Sequence, residues 1–211
     1  MKLLNRPFLT AVTGGITAGK TTACNWLQEK GFMVFYSDEI VHLILKEKEG
    51  IKKAILQNFS NVQNENGDID RSKLGDLVFY DKEKLQILNK IIHPEVKIEI
   101  QKIIDNSTEK FLFFEIPLLV ENDLQNCFDY TINIHSSFDL QIQRLIKFRS
   151  MDQIKAGKII NSQSDPEQRR QKTDLTIINN GELAELYDQL ECFLKKLPTL
   201  AFKNVDRLTE V

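Results

Sequence analysis

Short continuous apolar runs alternate along this chain with stretches in which apolar residues return at helical spacing. Phe8-Leu9-Thr10-Ala11-Val12, Phe32-Met33-Val34-Phe35-Tyr36, Phe111-Leu112-Phe113-Phe114-Glu115, Tyr130-Thr131-Ile132-Asn133-Ile134 and Leu175-Thr176-Ile177-Ile178 are each of strand length and read as buried strands. Thr21 to Lys30 reads as a helix with Gly31 in its C-terminal capping position, so the first two runs complete a βαβ unit. From Ser37 to about Asn106 the apolar residues (Ile40, Leu43, Ile44; Leu74, Leu77, Val78; Leu85, Leu88, Ile91, Ile92) keep helical spacing with no convincing strand. A polar loop, Ser60 to Asp70, divides this stretch, and Pro94 marks the start of another helix. The pattern predicts an α/β fold: a parallel sheet covered on both faces, ligands at the carboxyl ends of its strands, and a helical insertion.

The first strand leads directly into Gly14-Gly15-Ile16-Thr17-Ala18-Gly19-Lys20-Thr21, which fills the pattern G-x-x-x-x-G-K-[ST]. A glycine-rich backbone can turn its N–H groups onto anionic phosphates, and the following helix adds the positive end of its dipole. Lys20 is placed to reach the β- and γ-phosphates of ATP, and Thr21 to hold Mg²⁺. Gly14 to Thr22 is therefore the expected nucleotide-binding segment.

With 211 residues, 42% of them hydrophobic, the chain can bury one sizeable core and carry a smaller insertion or lid besides. Its 28 basic and 30 acidic residues give a net charge of −2, so no global field draws it toward nucleic acid or an anionic membrane. Cys24, Cys127 and Cys192 form no C-x-x-C pair, which argues against a zinc site or disulfide framework, fits a reducing cytoplasm and casts them as packing residues. Asn5-Arg6-Pro7 breaks the opening Lys2-Leu3-Leu4 before it reaches signal-peptide length. The longest apolar stretch, Phe111 to Val120, is interrupted by Glu115 and Pro117 and is about half a membrane span. A soluble cytoplasmic protein, monomeric or a small homo-oligomer, is expected.

Among phosphate-loop proteins, a GTPase needs N-K-x-D and D-x-x-G segments; Asn89-Lys90-Ile91-Ile92 lacks the aspartate, and no glycine follows an aspartate at the required spacing. A motor or transporter ATPase normally brings an acidic pair after an apolar strand, whereas here Glu115 stands alone. A small-molecule kinase fits better. Such an enzyme needs a carboxylate to orient the acceptor hydroxyl and take its proton. Asp38, after the second strand, is the candidate, with helix capping by Ser37 or Asp38 as the other reading. Between Arg144 and Lys172 a helical stretch carries Arg144, Lys147, Arg149, Lys155, Lys158, Arg169 and Arg170. It reads either as a solvated basic face or as a lid whose arginines close over the transferring phosphate.

Thr13 before the loop, Ser37-Asp38, Gly67-Asp68-Ile69-Asp70-Arg71, Ile92-His93-Pro94, Ile116-Pro117-Leu118-Leu119-Val120-Glu121 and Ile177-Ile178-Asn179-Asn180-Gly181 occur together in this order. In this the chain resembles the dephospho-coenzyme A kinase family across nearly its whole length. The resemblance implies a three-layer P-loop kinase core (1–36, 107–143 and 173–211), a helical acceptor-substrate domain (37–106) and a helical lid (144–172). It implies transfer of the ATP γ-phosphoryl group to the ribose 3′-hydroxyl of dephospho-coenzyme A, the last step of coenzyme A synthesis. By position, Asp38 becomes the general base and, with Thr21, a Mg²⁺ ligand. Lys20 binds phosphate, Thr13 lies near the phosphates and Arg144 is a catalytic lid residue. Arg71, His93, Pro117 and Leu118 belong to the acceptor region, and Asn179 to Gly181 lie near the adenine. His93 also reads as a helix-boundary residue before Pro94, and Arg71 as half of a surface ion pair with Asp70.

The chain departs from the family's pattern at several places. Thr17 and Ala18 stand where glycine and serine are usual, and a β-branched residue at 17 is expected to keep a negative φ. Tyr36-Ser37-Asp38 keeps one of two usual carboxylates, and Ile178 replaces an aspartate. Arg149 comes one position late in the lid, which turns it about 100° away from the expected helix face, so that Arg144 or Arg170 is left to supply the charge. Two other functions fit the same parts: a kinase for another nucleoside or nucleotide, and a regulatory module that binds ATP without transferring phosphate.

Overall fold

Strand β1 (Phe8–Gly14) is buried along its whole length, as expected of a central strand made of apolar residues and threonine with both faces covered. The computed structural model describes residues 6–79, 81–203, 205, 207 and 208. In chain order the elements after β1 are α1 (Lys20–Glu29), β2 (Met33–Tyr36), α2 (Ser37–Glu47), α3 (Glu49–Asn58), α4 (Arg71–Phe79), α5 (Lys82–Asn106), β3 (Phe111–Glu115), β4 (Tyr130–His135), α6 (Phe138–Arg149), α7 (Gln153–Asn161), α8 (Pro166–Gln171), β5 (Leu175–Ile178) and α9 (Leu183–Lys196). All the strands pair in parallel, in the order β2-β3-β1-β4-β5. The fold is α/β, a parallel sheet with flanking helices.

The pleat of β1 and β3 divides the apolar side chains between two faces. Phe8, Val12 and Phe113 join Ala23, Cys24 and Leu27 of α1 and Leu186, Leu190 and Phe193 of α9 in one core, where Trp26 stacks on Tyr187 with ring centroids 5.5 Å apart. Leu9, Ala11, Leu112 and Phe114 point the other way and are buried too. Strand β2 is only partly buried, with Met33 exposed, because it is an edge strand of the sheet, not the buried strand its apolar run predicts.

The described residues divide into two compact units, one from residues 6–36 and 107–203 with Val205 and Arg207, the other from Ser37–Asn106 with Leu208. Residues 1–5, 204, 206 and 209–211 of the expected core, including Lys2-Leu3-Leu4, lie outside the described residues. The second unit has its own core of Leu45, Ile55, Phe59, Val62, Leu74, Val78, Leu88 and Ile92. Its Ser60–Asp70 loop contains a single bridge, Gln63 with Ile69.

Pro94 does not begin a helix: it lies inside α5, which runs unbroken for 25 residues. The missing N–H costs one backbone bond. Burial of Leu88 and Ile92 before it, and of Ile100 and Ile104 after it, outweighs that loss, since packing of an apolar face supplies most helix stability in proteins. No helix among the described residues is long and apolar enough to cross a membrane.

Candidate active site

The first unit gathers a phosphate-binding loop at the carboxyl end of β1. Gly14 has φ +146°, and a Cβ there would run into the Ile134 carbonyl oxygen on neighbouring β4, so the strand can leave the sheet here only without a side chain. Gly19, at φ +107°, is the N-cap of α1 and offers no side-chain cap. The first-turn N–H groups of Lys20, Thr21 and Thr22 therefore belong to the set that an α-helix leaves without intrahelical acceptors. Lys20 folds back so that its Nζ is 3.0 Å from both the Gly14 and Gly15 carbonyl oxygens. Thr21 Oγ1 donates to Glu115 Oε1 at 3.2 Å, and Glu115 is buried at the end of β3, in register with Val12 and Tyr36. Glu115 was visible in the sequence as a lone carboxylate after a strand; only the strand order puts it against Thr21.

Thr17 corrects the expectation of a negative φ: it sits at φ +55°. Ala18 N–H donates to the Gly15 carbonyl at 3.1 Å, which closes a four-residue turn with Thr17 as its third residue, the position where a type II turn demands positive φ. Surrounding bonds fix this geometry. Thr17 Oγ1 reaches the Ile16 and Gln141 carbonyls at 2.7 and 3.2 Å, Gln141 Nε2 donates to the Ile16 carbonyl at 2.7 Å, and Ile16 N–H donates to Gln163 Oε1 at 2.8 Å. Neither glutamine was singled out from the sequence.

The basic residues of 144–172 have distinct environments. Arg144, within α6, donates to the Thr17 carbonyl (3.2 Å), Ser136 Oγ (2.8 Å) and the Asn179 carbonyl (3.1 Å). Asn179 is buried after β5, and its Nδ2 donates to the Ala18 carbonyl at 2.7 Å. Arg144 and Asn179 thus brace the loop through its own carbonyls. A Cβ on Gly181 would meet the Glu185 carboxylate. Arg149 is exposed at the end of α6, and exposed Arg170 forms a surface fork with Glu167 at 2.8 and 2.7 Å. Its neighbour Arg169, unremarked among the basic residues of the sequence, is 3% exposed, and its Nη2 lies 3.4 Å from the point where a Cβ on Gly15 would stand. Burial, and to a smaller extent the Arg169 charge, push the His135 pKa below its usual value.

The residues expected in the acceptor region divide between the units. In the first, Thr13 Oγ1 donates to the Pro117 carbonyl at 3.2 Å, and Leu118 is exposed. In the second, Asp38 is exposed in the first turn of α2. Arg71, at the start of α4, has Nη1 3.2 Å from His42 Nδ1. It is not paired with Asp70, which caps α4 by accepting from Ser72 and Lys73 N–H; the carboxylate is the acceptor that the first-turn N–H groups lack. His93 is half-buried inside α5, not at a helix boundary, and burial first, then the nearby Lys97 charge, lower its pKa. Of the cysteines, Cys24 and Cys127 are buried but Cys192 is exposed on α9, so only two are packing residues. Its position is on the outer side of an amphipathic helix whose buried residues are Leu186, Leu190 and Phe193. Among the described residues no group of three or more His, Cys, Asp or Glu side chains could hold a metal.

A profile of dephospho-CoA kinases matches residues 8–185. A dephospho-CoA kinase of Fusobacterium nucleatum is 37% identical over 190 residues, 90% of this chain and 98% of that one. One of Bacillus licheniformis is 34% identical over 87% of this chain and 93% of its own. Among solved structures, a dephospho-CoA kinase from Campylobacter jejuni is similar with a TM-score of 0.66 and 26% identity, covering 90% of this chain and 97% of that one. A shikimate kinase from Acinetobacter baumannii, at TM-score 0.55 and 15% identity over 96% of this chain and 99% of that one, shares the fold. The phosphate loop and its bracing residues thus sit in a chain that belongs to the dephospho-CoA kinase family.

Proposed function

We propose that this chain uses ATP to phosphorylate the ribose 3′-hydroxyl of dephospho-coenzyme A, giving coenzyme A and ADP. The observation that carries the reading is the G-x-x-x-x-G-K-T loop, with Thr21 hydrogen-bonded to Glu115, in a chain whose family likeness runs from residue 8 to residue 185. In the reaction a lone pair of the 3′-oxygen forms a bond to the γ-phosphorus, the bond from that phosphorus to the β-γ bridging oxygen breaks, and the hydroxyl proton leaves. Asp38 is the proposed base for that proton, with Arg71, His93, Pro117 and Leu118 in the acceptor region.

On the nucleotide side, Lys20 exchanges its two neutral carbonyl partners for phosphate oxygens, a gain because charge-assisted bonds are about twice as strong. The N–H groups from Gly14 to Thr22 that face the nucleotide receive its phosphates. Arg144 and Asn179 hold the loop's carbonyls away from them, and Gly181 completes the segment near the base. The oxygen donors of Thr21 and Glu115 suit a hard cation such as Mg²⁺. Such an ion, when bound there, would supply positive charge against that of the phosphates.

The test compares ADP formation by the purified protein with ATP and Mg²⁺ in the presence of dephospho-coenzyme A, adenosine or AMP. Selective turnover of dephospho-coenzyme A is the expected result. Preference for another acceptor overturns the substrate assignment, and nucleotide binding without turnover of any acceptor leaves only a binding module.

A further inference from the structure

Resting on the proposed phosphoryl transfer, we infer that Arg169 is a further catalytic residue, the cation that meets charge building on the transferred phosphoryl group, and that Glu121 is its positioning residue. Charge spreads over the equatorial oxygens of that group in the transition state and must be met by fixed donors. Lys20 is one. The arginines of the 144–172 stretch are the remaining source, and the structure separates them by what they hold. Arg144 commits three of its five N–H donors to bracing, on the Thr17 and Asn179 carbonyls and the Ser136 hydroxyl. Arg149 is exposed. Arg170 faces solvent in its fork with Glu167.

Arg169 differs from all three. It is 3% exposed, and its nearest carboxylate oxygen, Glu121 Oε1, stands 3.8 Å away, beyond a tight charge-assisted bond. Glu121 and Asp165 both act on this charge but neither forms a tight pair with it; a buried guanidinium so placed is costly to keep, and such groups cluster at functional sites. Its orientation is fixed. Nη1 donates to the Ser164 carbonyl at 2.6 Å and lies 3.1 Å from Ser164 Oγ. Ser164 N–H in turn donates to Glu121 Oε1 at 2.9 Å, so Glu121 fixes the turn that orients the guanidinium. With Nη1 occupied by Ser164, Nη2 is the nitrogen turned to Gly15. A Cβ on Gly15 would collide with Gln141 Nε2 but only touch Nη2, at 3.4 Å, so the guanidinium lies directly beside the loop backbone. A planar fork can serve Ser164 and a phosphate oxygen from different nitrogens at once, whereas a lysine offers one compact charge.

The experiment measures kcat, KM for both substrates, ADP affinity, and affinity for ADP with aluminium fluoride and dephospho-coenzyme A, a mimic of the transferring group. It does so in wild type, Arg169→Gln, Arg169→Lys, Arg149→Gln and Glu121→Gln. Loss of one transition-state donor predicts a kcat about 100-fold lower or worse in Arg169→Gln. The fluoride complex should weaken in parallel, with ADP affinity within about threefold; Arg169→Lys should recover about tenfold of the loss, and Arg149→Gln should stay within about threefold of wild type. Glu121→Gln should lower kcat and fluoride-complex affinity together while ADP affinity holds. If Arg169→Gln does not fold, Arg169→Lys decides alone: a kcat lowered about tenfold or more with ADP affinity retained supports the role, and an unchanged kcat overturns it. Equal losses of ADP affinity and kcat, or a large kcat loss in Arg149→Gln, also overturn it. Absence of transfer by the wild-type protein overturns the underlying reading, whereas normal transfer by Arg169→Gln overturns this inference alone.

Discussion

Thr17 carries strain that substitution can expose. A non-glycine residue in the left-handed region costs about 1–2 kcal/mol, and Thr17 stands there at φ +55°. Its hydroxyl offsets part of that: it has one proton to give, with the Ile16 and Gln141 carbonyls at 2.7 and 3.2 Å as acceptors, for a net value of about 1 kcal/mol. Thr17→Val keeps the branched Cβ and the strain but deletes the hydroxyl's bond, so it should destabilise the first unit by about 1 kcal/mol. Thr17→Asn tolerates the left-handed region and retains a polar side chain, so it should match or exceed wild type. Thr17→Gly relieves the strain, loses the hydroxyl's bond and gives up about 0.5–1 kcal/mol to chain entropy, which leaves it within about 1 kcal/mol of wild type. The gap between Asn and Val is then about 1–2 kcal/mol, or about 2–8 °C in Tm for a chain of this size. Thermal unfolding followed by circular dichroism reads it. Equal Tm values for the Val, Gly and Asn variants would refute the claim that this backbone geometry stores strain held by the hydroxyl.

Glu115→Gln preserves the shape beside Thr21 while removing one negative charge from the proposed Mg²⁺ position. The half-saturating Mg²⁺ concentration for ADP formation should rise about tenfold or more, with an unchanged requirement counting against Glu115. His93 has a folded pKa below its usual value, so the unfolded chain binds more protons as pH falls through the usual histidine range. Stability is then present above the unfolded pKa and lost progressively below it. His93→Gln should flatten the fall in stability between about pH 6.5 and 5, and identical urea midpoints for both proteins across that range would contradict the assignment. Burial raises the Cys24 pKa far above the usual thiol value, and Cys192 alone among the cysteines is exposed. A thiol reagent should label one site in the native protein and none in Cys192→Ser, and full labelling of native protein would show the core to be open.

The strands and the phosphate loop were legible because their signals are local: continuous apolar runs, a glycine pattern and a lysine at fixed spacing. Pro94 misled because its local preference for a helix start is weaker than the burial of Leu88, Ile92, Ile100 and Ile104 along one continuous helix. The positive φ of Thr17 was hidden for a related reason, since the bonds that enforce it come from Gln141 and Gln163, far away in sequence. Glu115 and Arg169 show the same limit more sharply. A lone glutamate after a strand and one arginine among several carry no distinguishing local mark. What distinguishes them is the β3-β1 pairing and the fold of α8 beside β4, which only tertiary structure supplies.

The central claim is the transfer itself and its position on the acceptor. Incubation of the protein with ATP labelled in the γ-phosphate and with dephospho-coenzyme A, followed by phosphorus NMR and mass analysis of the product, tests both. The predicted result is one labelled phosphate monoester on the ribose 3′-oxygen and stoichiometric ADP. Label recovered only as inorganic phosphate, or on another oxygen of the acceptor, would contradict the account.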